Sequence, residues 1–431
     1  MLADLTRFVS IPSESDNSEA LATAIDFIVT LSEDMGFVTK SCCDGQVAVV
    51  ELGQGHENLG ILSHVDVVPP GDLEEWDTPP YEATIKGDKI FGRGTLDDKG
   101  MIIASLYAMK AVLELSKVNN KSLKKKVQLI LGTQEEVEWT DMDAYVAEYP
   151  LPDYGFSPDG EYPICNIEKG CADYTLEFDV NDNCNQLHTV SIDCGIMQNS
   201  VPAKAVAMLS DGREVIATGK TVHSCQPELG ENALFNLYDK LTALGVVENK
   251  LMKLLKEISG SFSSIYGKEL GLYSESEYYQ GEFVHRNVFS PTIFKAENGK
   301  AILNINCRFP YGESEAKLLS KIEEFAQRNH GKVTEVYAMP AVFVSKEKPF
   351  LKVFAKAYEE VTGLTNEFTL AHGGSYAKAM PNIVSWGPIF PGEEDTCHEA
   401  NEYISIDSLI KNSEIFAYSI AKIALSDESF K

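Results

Sequence analysis

The sequence predicts an α/β domain that is interrupted by an α+β insert. Over the first 165 residues, strand-like segments alternate with helix-like segments, which is typical of α/β layer architectures. The character changes near Ile167–Gly170, and alternating strands with two amphipathic helices follow as far as about residue 344. From Pro349 the α/β pattern resumes. We therefore expect segments 1–170 and 345–431 to share one domain with a mixed, mostly parallel sheet, and segment 171–344 to form the insert.

Each element of the first segment follows from its hydrophobic pattern. Residues Leu21–Met35 have the amphipathic spacing of a helix, and Val47–Leu52 and Leu59–Leu62 are short apolar runs typical of strands. The stretch after Asp97 again has helical spacing, and a lysine-rich entry leads into the strand Val127–Gly132. Ligands of α/β folds gather beyond the carboxyl ends of the strands. The residues that follow these strands are therefore candidates for a functional site.

The insert and the final segment are interpreted from the same patterns. In the insert we expect strands at Tyr174–Val180, Val215–Thr218, Ala301–Phe309 and Val333–Tyr337, and helices at Ala233–Leu244 and Glu313–Arg328. In the final segment we expect a helix at Leu351–Thr362, a strand at Asn382–Trp386 and a helix at Leu409–Leu425.

Composition excludes several classes of partner. The chain has 431 residues, of which 44% are hydrophobic and 24% charged, so two or three ordinary domains with a large core are expected. A formal net charge of −28 argues against nucleic acid and against an anionic membrane surface, because both require a basic face. No apolar run approaches the roughly 18 residues that span a bilayer.

The cysteines and the N-terminal residues indicate the cellular compartment of the protein. Nine cysteines are an odd number without a disulfide-like spacing, and Cys42 and Cys43 are adjacent, which favours reduced thiols. Asp4 and Arg7 interrupt the apolar residues at the N-terminus, unlike the apolar core of a signal peptide. We expect a cytoplasmic protein.

Five dispersed residues have the chemistry of a two-metal site: His64, Asp97, Glu136, Asp159 and His398. Three carboxylates and one bridging hydroxide carry four negative charges, which would neutralise two divalent cations, and two imidazoles complete the ligand set. Glu135 remains beside this set as a proton carrier. Such a set is typical of a hydrolase.

Each of these residues also has a simpler interpretation. His64 could be a buried histidine that pairs with Asp66 in the H-x-D sequence, and Asp97 could belong to a helix cap. The glutamates could be solvated at a strand end, and Asp159, between proline and glycine, could be a turn residue. His398, in an acidic loop, is uninformative by itself.

The order and the local contexts of these residues resemble the M20 family of metallopeptidases, most closely its dipeptidase-V-like (PepV-like) branch. The resemblance covers nearly the whole chain. The matching segments are SHVDVVPPGD, WDTPPY, GRGTLDDKG, GTQEE, SPDGEYPI, NSVP, HSCQPELGENA, CRFP, GGSYAK and GPIFPGEEDTCHEANEYI.

The resemblance implies two divalent metal ions per chain, with Zn²⁺ favoured and Mn²⁺ or Co²⁺ as alternatives. One ion would be bound by His64 and Asp159 and the other by Glu136 and His398, with Asp97 bridging both. The peptide bond after Asp97 is expected to be cis in such proteins.

The family's other roles fall on matching positions. Asp66 would orient His64, because a ligating imidazole usually donates its second N–H to an oxygen. Glu135 would be the general base. The insert would be a lid built of ferredoxin-like repeats that carries the substrate-contacting residues. The residues expected to contact the substrate are Asn199, His223, Arg308 and the loop Gly373, Gly374 and Ser375. Of these, His223 would also assist catalysis.

The expected activity is hydrolysis of dipeptides. The insert is longer than the single ferredoxin-like lid of dimeric relatives, which favours a monomeric dipeptidase. An M20-type amidohydrolase acting on N-acyl amino acids, such as a desuccinylase or aminoacylase, is the alternative within the enzymes. A non-catalytic metal-binding protein is the alternative from another class. Taken singly, Asn199, His223 and Arg308 could be a turn residue, a core histidine and a surface arginine, and the G-G-S could be a simple turn.

Overall fold

The computed structural model describes residues 1–182 and 184–431, which form two compact units. The first unit comprises Met1–Ile167, Val342–Thr369 and Ser375–Lys431, and the second comprises Glu168–Ala341 and Leu370–Gly374.

The short segment Leu370–Gly374 groups with the second unit, whereas the sequence interpretation placed it with segment 345–431. Hydrogen bonds to the backbone carbonyls of this segment explain the difference. The backbone N–H of Lys169 donates to the carbonyl of Ala371 at 3.0 Å, and Arg308 Nη1 donates to the carbonyl of His372 at 3.1 Å. Contacts of this kind join residues distant in the chain, so a local hydrophobic pattern does not reveal them.

Nine α-helices form over the described residues. They are α1 Leu2–Val9, α2 Ser18–Asp34, α3 Lys99–Val118, α4 Thr140–Glu148, α5 Ala233–Ala243, α6 Lys250–Ser261, α7 Glu315–Arg328, α8 Pro349–Thr362 and α9 Ile406–Ala424. The helices α1, α4 and α6 were not predicted.

Polar capping residues set several helix starts. Asn17 Oδ1 accepts from the N–H of Ala20 at 3.2 Å, and Ser405 Oγ accepts from the N–H of Ser408 at 2.9 Å. The helices α2 and α9 therefore each begin three residues before the predicted helix starts at Leu21 and Leu409. The hydrophobic spacing marks the buried face of a helix, but the cap marks its end.

The strands in chain order are β1 Val38–Cys42, β2 Val47–Leu52, β3 Asn58–His64, β4 Thr84–Lys86, β5 Lys89–Phe91, β6 Lys126–Gly132, β7 Tyr154–Ser157, β8 Cys165–Glu168, β9 Gly170–Asp179, β10 Thr189–Cys194, β11 Lys204–Leu209, β12 Glu214–Thr218, β13 Tyr278–Tyr279, β14 Glu282–Phe283, β15 Val288–Glu297, β16 Lys300–Phe309, β17 Gly331–Met339, β18 Val342–Phe343, β19 Thr369–Ala371, β20 Ile383–Ser385 and β21 Tyr403–Ser405.

The first unit is built on a mixed sheet with the strand order β1-β2-β6-β3-β7-β20-β8-β18. The pairs β6–β3, β3–β7 and β7–β20 at its centre are parallel, whereas β1–β2, β2–β6 and β20–β8 are antiparallel. A smaller sheet in this unit has the order β21-β5-β4. The predicted α/β class with a mixed sheet is confirmed.

Helices α3 and α9 pack together in the apolar core of the first unit. The Ser413 hydroxyl on α9 donates to the carbonyl of Ala104 on α3 at 3.0 Å, and both residues are buried. Between the central strands and α8, Trp386 stacks on Phe354 with ring centroids 4.6 Å apart. These contacts fix the helices that lie beside the parallel strands.

The second unit contains a separate antiparallel sheet with the order β12-β11-β10-β15-β16-β9-β17. Strands β16 and β17 both pair antiparallel with β9, so they run parallel to each other with β9 between them. Because α7 connects them, this part is a split β-α-β unit of the ferredoxin-like kind.

Within the part of the chain that the structure describes, no helix combines the length and apolar character needed to cross a membrane.

A glycine pair tests the packing of the parallel strands. A Cβ at Gly155 on β7 would lie 1.9 Å from the backbone oxygen of Gly60 on β3, whereas a Cβ at Gly260 on α6 meets nothing within 4 Å. We expect Gly155→Ala to lower the free energy of unfolding by about 1–3 kcal/mol through overpacking. We expect Gly260→Ala, the control, to raise it by about 0.5–1 kcal/mol. Thermal unfolding of both variants measures these changes in stability. A Gly155→Ala protein as stable as wild type would contradict the close packing of β7 against β3 at this position.

Candidate metal centre

The ends of three neighbouring strands bring the candidate residues together. His64 is the last residue of β3 and pairs with Gly132, the last residue of β6. Glu135 and Glu136 follow β6, and Asp159 follows β7 on the other side of β3. Because β6, β3 and β7 are parallel neighbours, their carboxyl ends share one edge of the sheet. Residues far apart in sequence thus meet at a single place.

Asp97 lies at the centre of the cluster. Its Oδ1 is 3.0 Å from His64 Nε2, and its Oδ2 is 3.1 Å from His398 Nε2. The predicted cis bond between Asp97 and Asp98 is present. The helix-cap interpretation of Asp97 does not hold, because the N-cap residue of α3 is Asp98 and this cap has no side-chain hydrogen bond. Instead, Asp98 Oδ2 accepts from the N–H of His64 at 3.2 Å.

Each imidazole has a further carboxylate beside it. His398 Nε2 is 3.0 Å from Glu136 Oε2, and His64 Nε2 is 4.0 Å from Asp159 Oδ2. Ligand atoms of a tetrahedral zinc ion lie about 2.0–2.1 Å from the metal and hence about 3.3 Å from one another. The His398–Glu136 distance and both imidazole–Asp97 distances are close to this spacing, whereas the His64–Asp159 distance is longer.

Asp66 orients several parts of the centre at once. This fully buried carboxylate lies 3.3 Å from His64 Nδ1 through Oδ1 and accepts the N–H groups of Glu135 and Glu136, each at 3.2 Å. The Ser15 hydroxyl also donates to it at 2.8 Å. One side chain thus positions a candidate ligand and the backbone of the two glutamates.

The carboxyl groups of the centre repel one another strongly. Burial, followed by the charge of Asp97, raises the pKa of Asp159 to about 8. Burial, followed by the charge of Asp159, raises the pKa of Glu135 well above its usual range. Hydrogen bonds to Asp97 and Glu136 raise the pKa of His398 to about 11. Divalent cations would relieve this repulsion, so the residues present fit a metal centre.

Glu135 lies within the cluster but in a distinct position. Ligand atoms of His64, Glu135 and Asp159 lie within 4.8 Å of one another, and so do those of His64, Asp97 and Glu136. Trp139 Nε1 donates to the backbone carbonyl of Glu135 at 2.5 Å, which fixes the loop after β6. Glu135 is therefore held near the ligand atoms of His64 and Asp159.

Glu402 was missed by the sequence interpretation. It is fully buried and accepts the N–H groups of Gly94 at 3.0 Å, Leu96 at 2.8 Å and Asp97 at 3.1 Å, while Arg93 Nη1 lies 2.7 Å from its Oε2. The carboxylate thereby shapes the loop that presents Asp97. Its only signal in the sequence is its place four residues after His398, in the motif CHEANEY.

The substrate-contacting residues predicted in the insert lie together in the second unit. The N–H of Ser224 donates to the carbonyl of Asn199 at 2.8 Å, which joins the segments of Asn199 and His223. Asn306 Oδ1 accepts from the Ser224 hydroxyl at 2.9 Å and from Arg308 Nε at 3.3 Å. The structure thus assembles the Asn199, His223 and Arg308 segments around one buried asparagine.

The predicted glycine loop is divided between the two units. Gly373 and Gly374 are exposed and belong to the second unit, whereas Ser375 is buried and belongs to the first. Ser375 caps the short helix that follows, because its hydroxyl accepts from the N–H of Ala377 at 3.3 Å. Gly373 and Gly374 therefore have exposed backbone, and Ser375 has a structural contact.

Comparison with known proteins identifies relatives over almost the entire chain. The model of peptidase family M20/M25/M40 matches residues 60–422. A protein of Bacillus subtilis (strain 168) named "Putative dipeptidase YtjP" is 30% identical over 464 residues, covering 98% of this chain and 97% of the relative.

Solved structures share the fold at lower identity. An M20 family metallo-carboxypeptidase from Sulfolobus solfataricus, Sso-CP2, superposes with a TM-score of 0.65 at 18% identity and covers 99% of each chain. Human carnosine dipeptidase 1 superposes with a TM-score of 0.60 at 16% identity, covering 98% of this chain and 95% of that one.

Glu402 provides a test of how the centre is held. Glu402→Gln keeps the shape of the side chain but removes the charge that holds the Asp97 loop and Arg93. Because partners that support metal ligands typically contribute 10–100-fold to affinity, we expect a loss of about that size in metal affinity. Competition with a chromophoric chelator measures it, with Glu414→Gln, at an exposed position on α9, as the control. A folded Glu402→Gln protein with wild-type affinity would show that Glu402 does not position Asp97.

Proposed function

The chain belongs to peptidase family M20/M25/M40, and from this membership we propose that it is a dipeptidase that uses two divalent metal ions. The family resemblance predicted from the motifs is thereby confirmed. The family implies a dinuclear metal site, and His64, Asp97 and Glu136 form a candidate set of ligands. The dipeptidase activity is supported by the name of the relative from Bacillus subtilis, which is 30% identical to this chain.

The observation that carries the proposal is the position of Asp97 between two imidazoles. His64 Nε2 and His398 Nε2 approach different oxygens of one carboxylate, at 3.0 Å and 3.1 Å. We propose His64, Asp97 and Asp159 as one ligand set and Asp97, Glu136 and His398 as the other. When bound, the two cations supply Lewis acidity to the scissile carbonyl and lower the pKa of a water molecule from about 16 towards roughly 7.

Glu135 is the proposed proton carrier. It lies beside the ligand atoms of His64 and Asp159, and its loop is held by Asp66 and Trp139. In the reaction, Glu135 accepts the proton of the attacking water and later donates it to the departing amine. A carboxyl group whose pKa is raised by burial and by Asp159 is suited to hold that proton.

Residues of the second unit are proposed to bind the substrate. Arg308 would bind the C-terminal carboxylate of a dipeptide with charge-assisted hydrogen bonds. His223 would donate to the oxyanion that develops on the scissile carbonyl. Burial and the charge of Arg308 lower the pKa of His223, so a neutral imidazole that donates one N–H is the expected form. Asn199 and the backbone of Gly373 and Gly374, with Ser375 beside them, complete the proposed substrate contacts.

Three further proposals concern the metal, the assembly and the compartment. The mixed carboxylate and imidazole ligands suit Zn²⁺, with Mn²⁺ or Co²⁺ as alternatives. A monomer is proposed because the antiparallel sheet of the second unit has seven strands, which is larger than a single ferredoxin-like lid requires. A cytoplasmic location is proposed because the nine cysteines are an odd number without a disulfide-like spacing.

Replacement of Glu135 tests the proton carrier. We expect Glu135→Gln to lower kcat by about two to four orders of magnitude because the general base is lost, with both metals still bound. Glu138→Gln, at an exposed position of the same loop, is the matched control and should retain activity. Steady-state kinetics and metal analysis of both variants measure these effects. Undiminished turnover in Glu135→Gln would show that Glu135 is not the general base.

Replacement of His223 tests the second unit's part in the reaction. We expect His223→Ala to lower kcat by about 10²–10³-fold, as for loss of an oxyanion donor, at unchanged metal content. His188→Ala, a partly buried histidine elsewhere in the second unit, serves as the control. If metal content fell with activity in His223→Ala, the imidazole would be a metal ligand instead.

A substrate panel tests the activity itself. Dipeptides, N-acyl amino acids and N-succinyl amino acids are compared with Zn²⁺, Mn²⁺ or Co²⁺ added in turn. We expect the highest kcat/KM for dipeptides. A preference for N-acyl or N-succinyl substrates would replace the proposed dipeptidase with an amidohydrolase, and hydrolysis of none of them would favour a non-catalytic protein.

A further inference from the structure

The loop of residues 133–136, which carries the proposed general base, is held through four consecutive backbone N–H groups. The last two of these N–H groups donate to Oδ1 and Oδ2 of Asp66, each at 3.2 Å. The first two, those of Thr133 and Gln134, both donate to Asp141 Oδ2, at 2.6 Å and 3.1 Å. Asp66 and Asp141 are both fully buried. Asp141 therefore holds the first half of the loop, and Asp66 holds the second half.

The hydroxyl of Tyr376 supports the Asp141 carboxylate. It donates to Asp141 Oδ2 at 2.7 Å, and its oxygen lies 3.4 Å from the backbone nitrogen of Gln134. Tyr376 is fully buried, so this hydrogen bond forms in the interior of the first unit. One carboxylate oxygen thus accepts from two backbone N–H groups and one hydroxyl. Because a buried polar group that loses its partner is costly, the three donors and the carboxylate hold one another in place.

Gly132, the last residue of β6, makes room for this pair of side chains. A Cβ at Gly132 would overlap both Tyr376 Oη and Asp141 Oδ2. Gly132 pairs with His64 at the end of β3. The hydrogen bond between Tyr376 and Asp141 therefore lies directly against the strand ends that bring the candidate ligands together.

The ring of Tyr376 packs against two further parts of the centre. Its centroid lies 6.1 Å from that of His64 and 5.4 Å from that of Trp139, and both contacts are edge-to-face. Trp139, whose indole N–H donates to the carbonyl of Glu135, has a φ of 54°, in the left-handed region. This conformation is costly for a bulky residue and persists only where the surrounding contacts hold it. Tyr376 thus packs on the side chain that binds the backbone of Glu135.

We propose that Asp141 and Tyr376 are positioning residues, which hold the loop of residues 133–136 so that Glu135 can act as the general base. The inference rests on the proposed dipeptidase function, because it concerns the proton carrier of that reaction. Both side chains act through the backbone of the loop and not on the substrate. A misplacement of about 1 Å near a reacting group can cost on the order of 10²-fold in rate. Loosening the loop should therefore lower kcat more than it raises KM.

Hydrogen exchange tests the anchor independently of activity. Tyr376→Phe removes the hydroxyl and keeps the ring. Tyr154→Phe is the matched control, because Tyr154 is also fully buried and donates to a carboxylate, that of Glu57, but lies at the start of β7, away from Asp159. In the full-length, metal-loaded protein we expect the peptide that contains residues 133 and 134 to exchange about tenfold faster in Tyr376→Phe, as for one lost hydrogen bond. Tyr154→Phe should leave this exchange near the wild-type rate.

Steady-state kinetics with a dipeptide connects the anchor to the reaction. We expect Tyr376→Phe to lower kcat by about tenfold or more, with KM within about twofold of wild type and the metal content unchanged. Tyr154→Phe should keep the wild-type kcat. Asp141→Asn should lower kcat at least as far as Tyr376→Phe does. The double variant should lose no more than Asp141→Asn alone, because the two side chains act as one unit.

Unchanged exchange or an unchanged kcat in Tyr376→Phe would overturn the inference and leave the dipeptidase function standing. A wild-type protein that hydrolyses no dipeptide would overturn the proposed function and, with it, the positioning of its general base. If Asp141→Asn does not fold, Tyr376→Phe and its control still decide.

Discussion

The carboxylate of Asp97 is the group on which the rest of the candidate site depends. Its two oxygens lie 3.0 Å and 3.1 Å from imidazoles on residues more than 300 positions apart, so it can belong to two ligand sets at once. The carboxylate is held by its own loop, whose N–H groups are bound by the buried Glu402. Replacing any part of this arrangement would change the spacing of both ligand sets together. The ends of the parallel strands β3, β6 and β7 bring the candidate ligands His64, Glu136 and Asp159 around it.

The two units carry opposite kinds of charge at their functional residues. In the first unit, carboxyl groups crowd together until burial and mutual repulsion raise the pKa values of Glu135 and Asp159, a condition that cations relieve. In the second unit, burial and then the charge of Arg308 lower the pKa of His223, which favours a neutral imidazole. A dipeptide presents both a carbonyl that cations polarise and a C-terminal carboxylate that an arginine binds. The charges of the two units therefore suit the proposed dipeptidase function.

Much of this arrangement could be predicted from the sequence, because its signals are local. His64, Glu136 and Asp159 follow apolar strands, and the alternation of strands and helices predicts that such strand ends converge. Glu402 and Ser15 could not be found in this way, since each acts through contacts with residues remote in the chain. Tertiary contacts decided those two cases. The helix α6 is different, because Leu251, Leu255 and Ile258 have the spacing of an amphipathic helix. Asn249 caps this helix, so its signals were present in the sequence.

The central claim is that Asp97 holds two cations at once, and electron paramagnetic resonance of the Mn²⁺-loaded protein tests it most directly. Two ions that share a carboxylate and lie in one centre are magnetically coupled. We predict two Mn²⁺ ions per chain with a coupled spectrum, and a single uncoupled ion in Asp97→Ala. A wild-type protein that binds one Mn²⁺, or two Mn²⁺ ions without coupling, would contradict the account.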